Sequence, residues 1–212
     1  TLGGEVWFAS EIPALLSSGV SRDIDDAALA DYLALGYVRE PRTMFRAIRQ
    51  VQAGTIHTFD ASGARFSAYW SPSDDAASTS RGSPADQLLG LRELLIGAVE
   101  RQTAADVPVG VFMSGGVDSA IIAALTARAI GPERVRAFSV GFSAAGFDER
   151  APAAHTAHVL GLKHTIVTAD ETALRRAYDD LARDMAEPLA DPALLPTYLL
   201  AGAAREHVTV VL

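Results

Sequence analysis

The sequence predicts an α/β protein. A doubly wound parallel sheet takes up most of the chain, and a smaller region ending in an antiparallel hairpin precedes it. Three observations carry this. After residue 87, short apolar segments such as Val107–Met113 and Val135–Val140 alternate with helical ones, the pattern of βαβ units whose strands are covered on both faces. Before residue 72, Thr55–Asp60 and Arg65–Trp70 flank Ala61-Ser62-Gly63-Ala64, small residues that suit a hairpin turn. Between the two regions, residues 73–86 are rich in Ser, Asp and Ala, include Pro84 and hold little to bury, so they read as a linker.

The elements follow in order. Glu5–Ala9 has strand character. Asp25–Leu35 is a helix that Asp25 or Asp26 can cap and Gly36 can end. The hairpin Thr55–Asp60 and Arg65–Trp70 closes the first region, residues 1–72. In the second region, residues 87–212, a helix spans Gln87–Arg101. The strand Val107–Met113 is apolar on both faces and leads into a helix at Ser119–Ala129. A strand Val135–Val140, a helix Asp148–Leu160, a strand Lys163–Val167 and a helix Glu171–Met185 come next. A helix Ala193–Glu206 and a strand Val208–Leu212 close the chain.

Composition narrows the function classes. The 212 residues are 49% hydrophobic and 21% charged, ample for a packed core. Eighteen basic against twenty-six acidic residues give a net charge of −8, which argues against a nucleic-acid partner held by phosphate contacts. No apolar run approaches the ~20 residues of a membrane span. The chain has no cysteine, so disulfides, thiolate metal sites and a Cys nucleophile are excluded within it. No basic-then-apolar signal peptide opens it, and a cytoplasmic protein is the expectation. Thr1 stands where a Met would be expected and the apolar Val208–Leu212 ends without a polar tail, so the sequence reads as a piece of a longer protein. Oligomeric state is left open, a homodimer included.

The chemistry concentrates at the end of Val107–Met113. There Ser114-Gly115-Gly116-Val117-Asp118-Ser119 turns directly from a buried strand into a helix. Glycines let backbone approach a phosphate with no Cβ in the way. The helix start offers outward amides and a dipole that favours negative charge. Ser114 and Ser119 add hydroxyl donors. Asp118, a carboxylate in an anion site, makes sense if Mg²⁺ bridges it to the phosphates. The bland alternative is a Gly-rich turn with Asp118 and Ser119 as helix caps. GxxxxGK[ST] and GxGxxG are both absent, so neither a kinase-type phosphate loop nor a dinucleotide fingerprint is present.

SGGVDS after a strand resembles the pyrophosphate loop of the ATP pyrophosphatases. The flanking VPVGVFM, AFSVGF, FDER and EPLADPALLPTYLLAGAAREHVTVVL resemble the synthetase domain of glutamine-hydrolysing asparagine synthetases. Upstream, FASEIPALL, DYLALGYVREPRTMFRAIRQVQAGTIHTF and AYW resemble the end of that family's glutaminase domain. The resemblance implies that residues 1–72 are the C-terminal part of an αββα N-terminal-nucleophile glutaminase domain, and 87–212 the first part of an ATP pyrophosphatase domain. It implies a ligase that adenylates aspartate with MgATP and lets glutamine-derived ammonia attack the β-aspartyl-AMP. Aspartate, and glutamine or ammonia, would be its small-molecule partners, with ATP and Mg²⁺ as cofactors. Ser114, Gly115, Gly116, Asp118 and Ser119 would hold the phosphates, Asp118 would face Mg²⁺, and Met113 and Val140 would contact adenosine. Such sites lie outside the carboxyl ends of parallel strands, where both residues fall.

The resemblance also implies parts not found in these residues. The family's glutaminase Cys follows the initiator Met, its second acidic loop resembles SGDGADE, and its catalytic lysine is not matched by Lys163. No catalytic set is therefore complete here. Some asparagine synthetases carry an arginine near the segment EPLADPALLPTY, which has none. That keeps β-lactam or peptide-lactam synthetases, which use an internal amine, as the alternative. A module that binds ATP without turnover is a third reading.

Other candidates weigh less. A terminal Thr1 can act as a nucleophile through its own amine, but Leu2–Ser10 resembles an interior strand. His155, His158 and His164 invite a metal reading, yet no carboxylate pattern completes it. Asp148 and Glu149 fit helix capping. Glu187 and Asp191 sit in a Pro-rich loop that suits either substrate contact or a solvated turn.

Overall fold

A computed structural model describes residues 5–72, 82–142 and 148–212. Thr1, the start of the expected strand at Leu2, and residues 73–81 of the expected linker lie outside the described residues. The chain forms two compact units. Residues 1–80 with 181–191 make one, and residues 81–180 with 192–212 make the other.

In the first unit, helix α1 spans Ile12–Ser17 with Pro13 in its first turn, where a missing N–H costs nothing. Helix α2 spans Asp26–Leu35. Asp25 caps it, accepting the amides of Ala27 at 3.0 Å and Ala28 at 3.3 Å. Gly36 ends it at φ +82°, a conformation in which a Cβ would be strained. The hairpin pairs β1, Thr55–Asp60, with β2, Gly63–Ala68, antiparallel. Asp60 faces Gly63, so the turn is only Ala61-Ser62 and β2 begins two residues before the expected Arg65. Asp60 tightens that turn by accepting the Ser62 amide at 2.8 Å and pairing with Arg65.

The expected strand Glu5–Ala9 does not form. Glu5 makes a single bridge, Val6–Ala9 has no strand partner among the described residues, and Phe8 is 91% exposed. Alternating apolar residues make a strand only where an edge is present to pair with them.

The segment Leu181–Asp191 packs within this first unit. Glu187 accepts the Met44 amide and the Gln50 side-chain amide, and the Ala190 amide donates to the Gly36 carbonyl at 2.8 Å. Buried Thr43, Met44 and Ile48 lie beside these contacts.

The second unit opens with helix α3, Pro84–Thr103. It starts three residues before the expected Gln87 because Ser83 and Asp86 form a reciprocal capping box. The Ser83 hydroxyl accepts the Asp86 amide and the Asp86 carboxylate accepts the Ser83 amide at 2.9 Å. Four strands follow: β3 Val109–Phe112, β4 Val135–Phe142, β5 Lys163–Ala169 and β6 Val210–Val211. They are all parallel, in the order β5-β4-β3-β6. The chain thus builds outward from β3 to β5, then returns to the other side of β3.

The helices between them are α4 Val117–Ile130, α5 Arg150–Val159, α6 Glu171–Asp184 and α7 Leu194–Arg205. Strand periodicity of two divides the core. Val111, Met113, Val135 and Ala137 pack with Ala123 of α4 and Ala153 of α5. Phe112, Phe138 and Val140 point the other way, onto Leu200 and Ala204 of α7. Helices on both faces of a parallel sheet are the expected doubly wound arrangement, and they explain why these strands read as apolar throughout. No helix among the described residues is long and apolar enough to cross a membrane.

Candidate functional site

The loop Ser114–Ser119 leaves the carboxyl end of β3 and enters α4 with Gly116 in the capping position. No side chain caps that helix, and Asp118 lies exposed in its first turn. Its amides are therefore left for something else to satisfy.

The two serines shape the turn from inside. The Ser114 amide donates to Ser119 Oγ at 3.2 Å, and the two hydroxyls lie 3.1 Å apart. The Gly116 amide donates to Ser114 Oγ at 3.1 Å. Ser114, Gly115, Gly116, Asp118 and Ser119 are thus brought together in one turn.

The Gly115 amide points outward and donates to the Glu149 carboxylate at 3.0 Å. Gly115 has to be glycine here: a Cβ would stand 2.8 Å from Pro152 Cγ of α5. An anionic oxygen can therefore be held at this amide, as a phosphate site requires. The sequence offered Glu149 only as a helix cap, and it sits at the cap position of α5 without capping it. Asp148 instead turns back on Arg150, accepting from Nε and Nη2 of its guanidinium, each at 2.7 Å. Arg150 holds the Asp148 carboxyl below the usual carboxylate range.

Met113 directly follows β3, whereas β4 runs past its expected end at Val140 to Phe142, so Val140 lies two residues inside that strand; their side chains enter different apolar clusters. Met113 is 3% exposed, and its carbonyl accepts the Ser139 hydroxyl at 2.7 Å. Ser139 in turn lies 2.8 Å from His164 Nε2. Neither Ser139 nor its link to His164 was singled out from sequence. The signal was faint, a lone Ser in an apolar strand.

The three histidines do not converge. His155 and His158 are exposed on α5, while His164 is on β5 against Ser139. Among the described residues no three His, Cys, Asp or Glu side chains are placed to hold a metal. Glu187 is taken up by Met44 and Gln50 in the first unit. Lys163 is exposed at the start of β5.

The asparagine synthase family model matches residues 90–212, more than half of the chain. The chain belongs to the asparagine synthase family. A glutamine amidotransferase domain model matches residues 1–70 of this family member. Its curated relatives include asparagine synthetase [glutamine-hydrolyzing] 1 of Bacillus subtilis, 32% identical over 214 residues. A putative asparagine synthetase of Mycobacterium bovis is 34% identical over 220 residues. In both cases all of this chain is aligned with 33% of the relative, so it spans about a third of their length. The amidase chyE of Penicillium rubens is 29% identical over 203 residues, 89% of this chain and 30% of that protein. Among solved structures, a glutamine-dependent NAD+ synthetase of Acinetobacter baumannii in complex with ADP is 24% identical, with a TM-score of 0.41. That match covers 55% of this chain and 23% of the other.

Proposed function

We propose that the chain supplies the nucleotide loop of a ligase that amidates aspartate to asparagine, using ATP and glutamine-derived ammonia. The observation that carries this is the loop at the carboxyl end of β3, with the Gly115 amide already holding a carboxylate oxygen at 3.0 Å. Family membership supports it, as do relatives named as glutamine-hydrolysing asparagine synthetases.

In this reading the chain's own residues bind and orient. The Gly115 and Gly116 amides, the Ser114 and Ser119 hydroxyls and the dipole of α4 hold the β- and γ-phosphates. They stay with those phosphates as pyrophosphate while the α-phosphorus is attacked by the aspartate side-chain carboxylate. The bond between the α- and β-phosphates breaks, and β-aspartyl-AMP results. Met113, directly after β3, and Val140, two residues before the end of the neighbouring β4, border adenosine. Asp118 is the carboxylate that would hold Mg²⁺, which neutralises charge on the leaving pyrophosphate. Its exposed place in the first turn fits that role. Residues 1–72 would be the end of the glutaminase domain, and residues 87–212 the start of the synthetase domain.

The test is the nucleotide product of the full-length enzyme with α-labelled ATP, aspartate and ammonia. AMP and pyrophosphate are expected. ADP would overturn the reading. A second reading, closure of a lactam by an internal amine after the same adenylation, is favoured by the absence of arginine from EPLADPALLPTY. Failure of aspartate with ammonia, together with AMP formation from a β-amino carboxylate, would select it.

A further inference from the structure

We propose that His164, acting through Ser139, is a positioning residue for the phosphate-binding loop. This rests on the nucleotide reading of that loop. Three strands contribute to the arrangement. His164 is on β5, Ser139 on β4, and the Met113 carbonyl is the last one before the loop that follows β3. Ser139 is 1% exposed and Met113 3% exposed, so water does not compete for these groups.

Proton count fixes the direction. A hydroxyl has one proton and a carbonyl only accepts. At 2.7 Å, Ser139 must donate to Met113, so His164 Nε2 must donate to Ser139 across 2.8 Å. The imidazole is therefore held with its proton on Nε2. Burial lowers the His164 pKa, which favours this neutral form.

The consequence for the loop follows from peptide geometry. A trans peptide is planar, with C=O and N–H opposed. The Met113 amide donates to the Phe138 carbonyl at 2.8 Å, and its carbonyl is held by Ser139. Both polar groups of Met113 are thus fixed by β4. That aims the Ser114 N–H at Ser119 Oγ, the contact around which the loop turns. Ser119 sets the turn from the helix side, and His164 with Ser139 sets it from the sheet side.

The test uses the isotope-labelled 212-residue chain with His164→Leu, His164→Gln and Ser139→Ala, and inorganic pyrophosphate with Mg²⁺ as the probe. The Gln amide nitrogen can occupy the place of Nε2 and donate. Leu keeps bulk and donates nothing. Wild type should show the Nε2-protonated imidazole by its nitrogen shifts. His164→Leu and Ser139→Ala should speed amide exchange at Ser114 and Gly116 about tenfold and weaken pyrophosphate binding about tenfold. Exchange at Val111 and Ala137 should hold, showing an intact sheet, and His164→Gln should restore loop and affinity. Should His164→Leu not fold, the imidazole tautomer and the Gln variant decide. An Nδ1-protonated imidazole in wild type, or a Gln variant that folds with a loosened loop and weakened binding, overturns the proposal. So do equal exchange and affinity in wild type and His164→Leu. A wild-type chain that binds no pyrophosphate overturns the nucleotide reading itself, and the proposal with it.

Discussion

The Glu149 carboxylate accepts the Gly115 amide at 3.0 Å, so an acidic side chain of the protein stands on the amide that the proposed function gives to a phosphate. A bound phosphate must displace that oxygen and then lie beside its charge. Glu149→Gln removes the charge and keeps the shape. Pyrophosphate should bind about threefold to tenfold more tightly, on the order of 1 kcal/mol. Calorimetric titration of the two chains checks this; weaker binding would show that Glu149 helps to hold the ligand, and unchanged binding would show that its charge does not compete for the Gly115 amide.

On the proposed function, Asp118 should separate amide synthesis from glutamine hydrolysis. In the full-length enzyme, Asp118→Asn removes the carboxylate assigned to Mg²⁺. AMP formation should fall about 100-fold or more, while glutamine hydrolysis persists. Parallel assays of AMP and glutamate decide it. Near-normal AMP formation would remove Asp118 from the metal site.

The parallel sheet should depend on Phe138 far more than on any helix cap. Phe138 is fully buried against Leu200 and Ala204. Phe138→Ala should cost about 3–5 kcal/mol. Ser83→Ala breaks the capping box of α3 and should cost about 1 kcal/mol. Urea midpoints, followed by a probe of the second unit, should rank them in that order.

Much of the second unit was legible because its signals are local. Apolar residues on both faces of β3 and β4, followed each time by a helix, leave a pattern that survives without an alignment. The loop was legible because Ser114–Ser119 is contiguous. What was missed joins residues far apart in sequence. Glu149 meets Gly115 across 34 positions, Ser139 meets Met113 across 26, and Glu187 meets Met44 across 143. No spacing rule encodes such pairs, since the fold alone makes them neighbours. The strand expected at Glu5–Ala9 failed for the opposite reason: its alternation is local, but a strand is a property of its pairing. The first turn of α3 was hidden by reading Ser83-Pro84-Ala85-Asp86 as linker composition, when Ser83 and Asp86 spell a capping box.

An acid titration should report on the first unit. The Asp31 side chain, 12% exposed, pairs with Arg39 at 2.8 Å and Arg42 at 3.4 Å. Arg39, with Arg42 adding to it, holds the Asp31 carboxyl below its ordinary value. A folded-state pKa below the unfolded one gives stability that is present above about pH 4 and lost as pH falls through the lowered value. Wild type should therefore be more stable than Asp31→Asn at neutral pH, and the two should converge in acid. Urea midpoints measured from pH 7 downward test this; a constant gap would contradict the sign.

The first unit is written in two places along the chain, residues 1–80 and 181–191. No single cut can excise it whole. A recombinant product ending at the Ser/Asp-rich stretch would lack Glu187, exposing the Met44 amide, and Ala190, freeing the Gly36 carbonyl. A swap of either unit with that of a relative would have to carry both pieces, or rebuild those contacts at the seam. Insertions are better tolerated in exposed loops elsewhere than in Leu181–Asp191, which looks in sequence like an ordinary Pro-rich connection but behaves as a dovetail between distant stretches of the same fold unit.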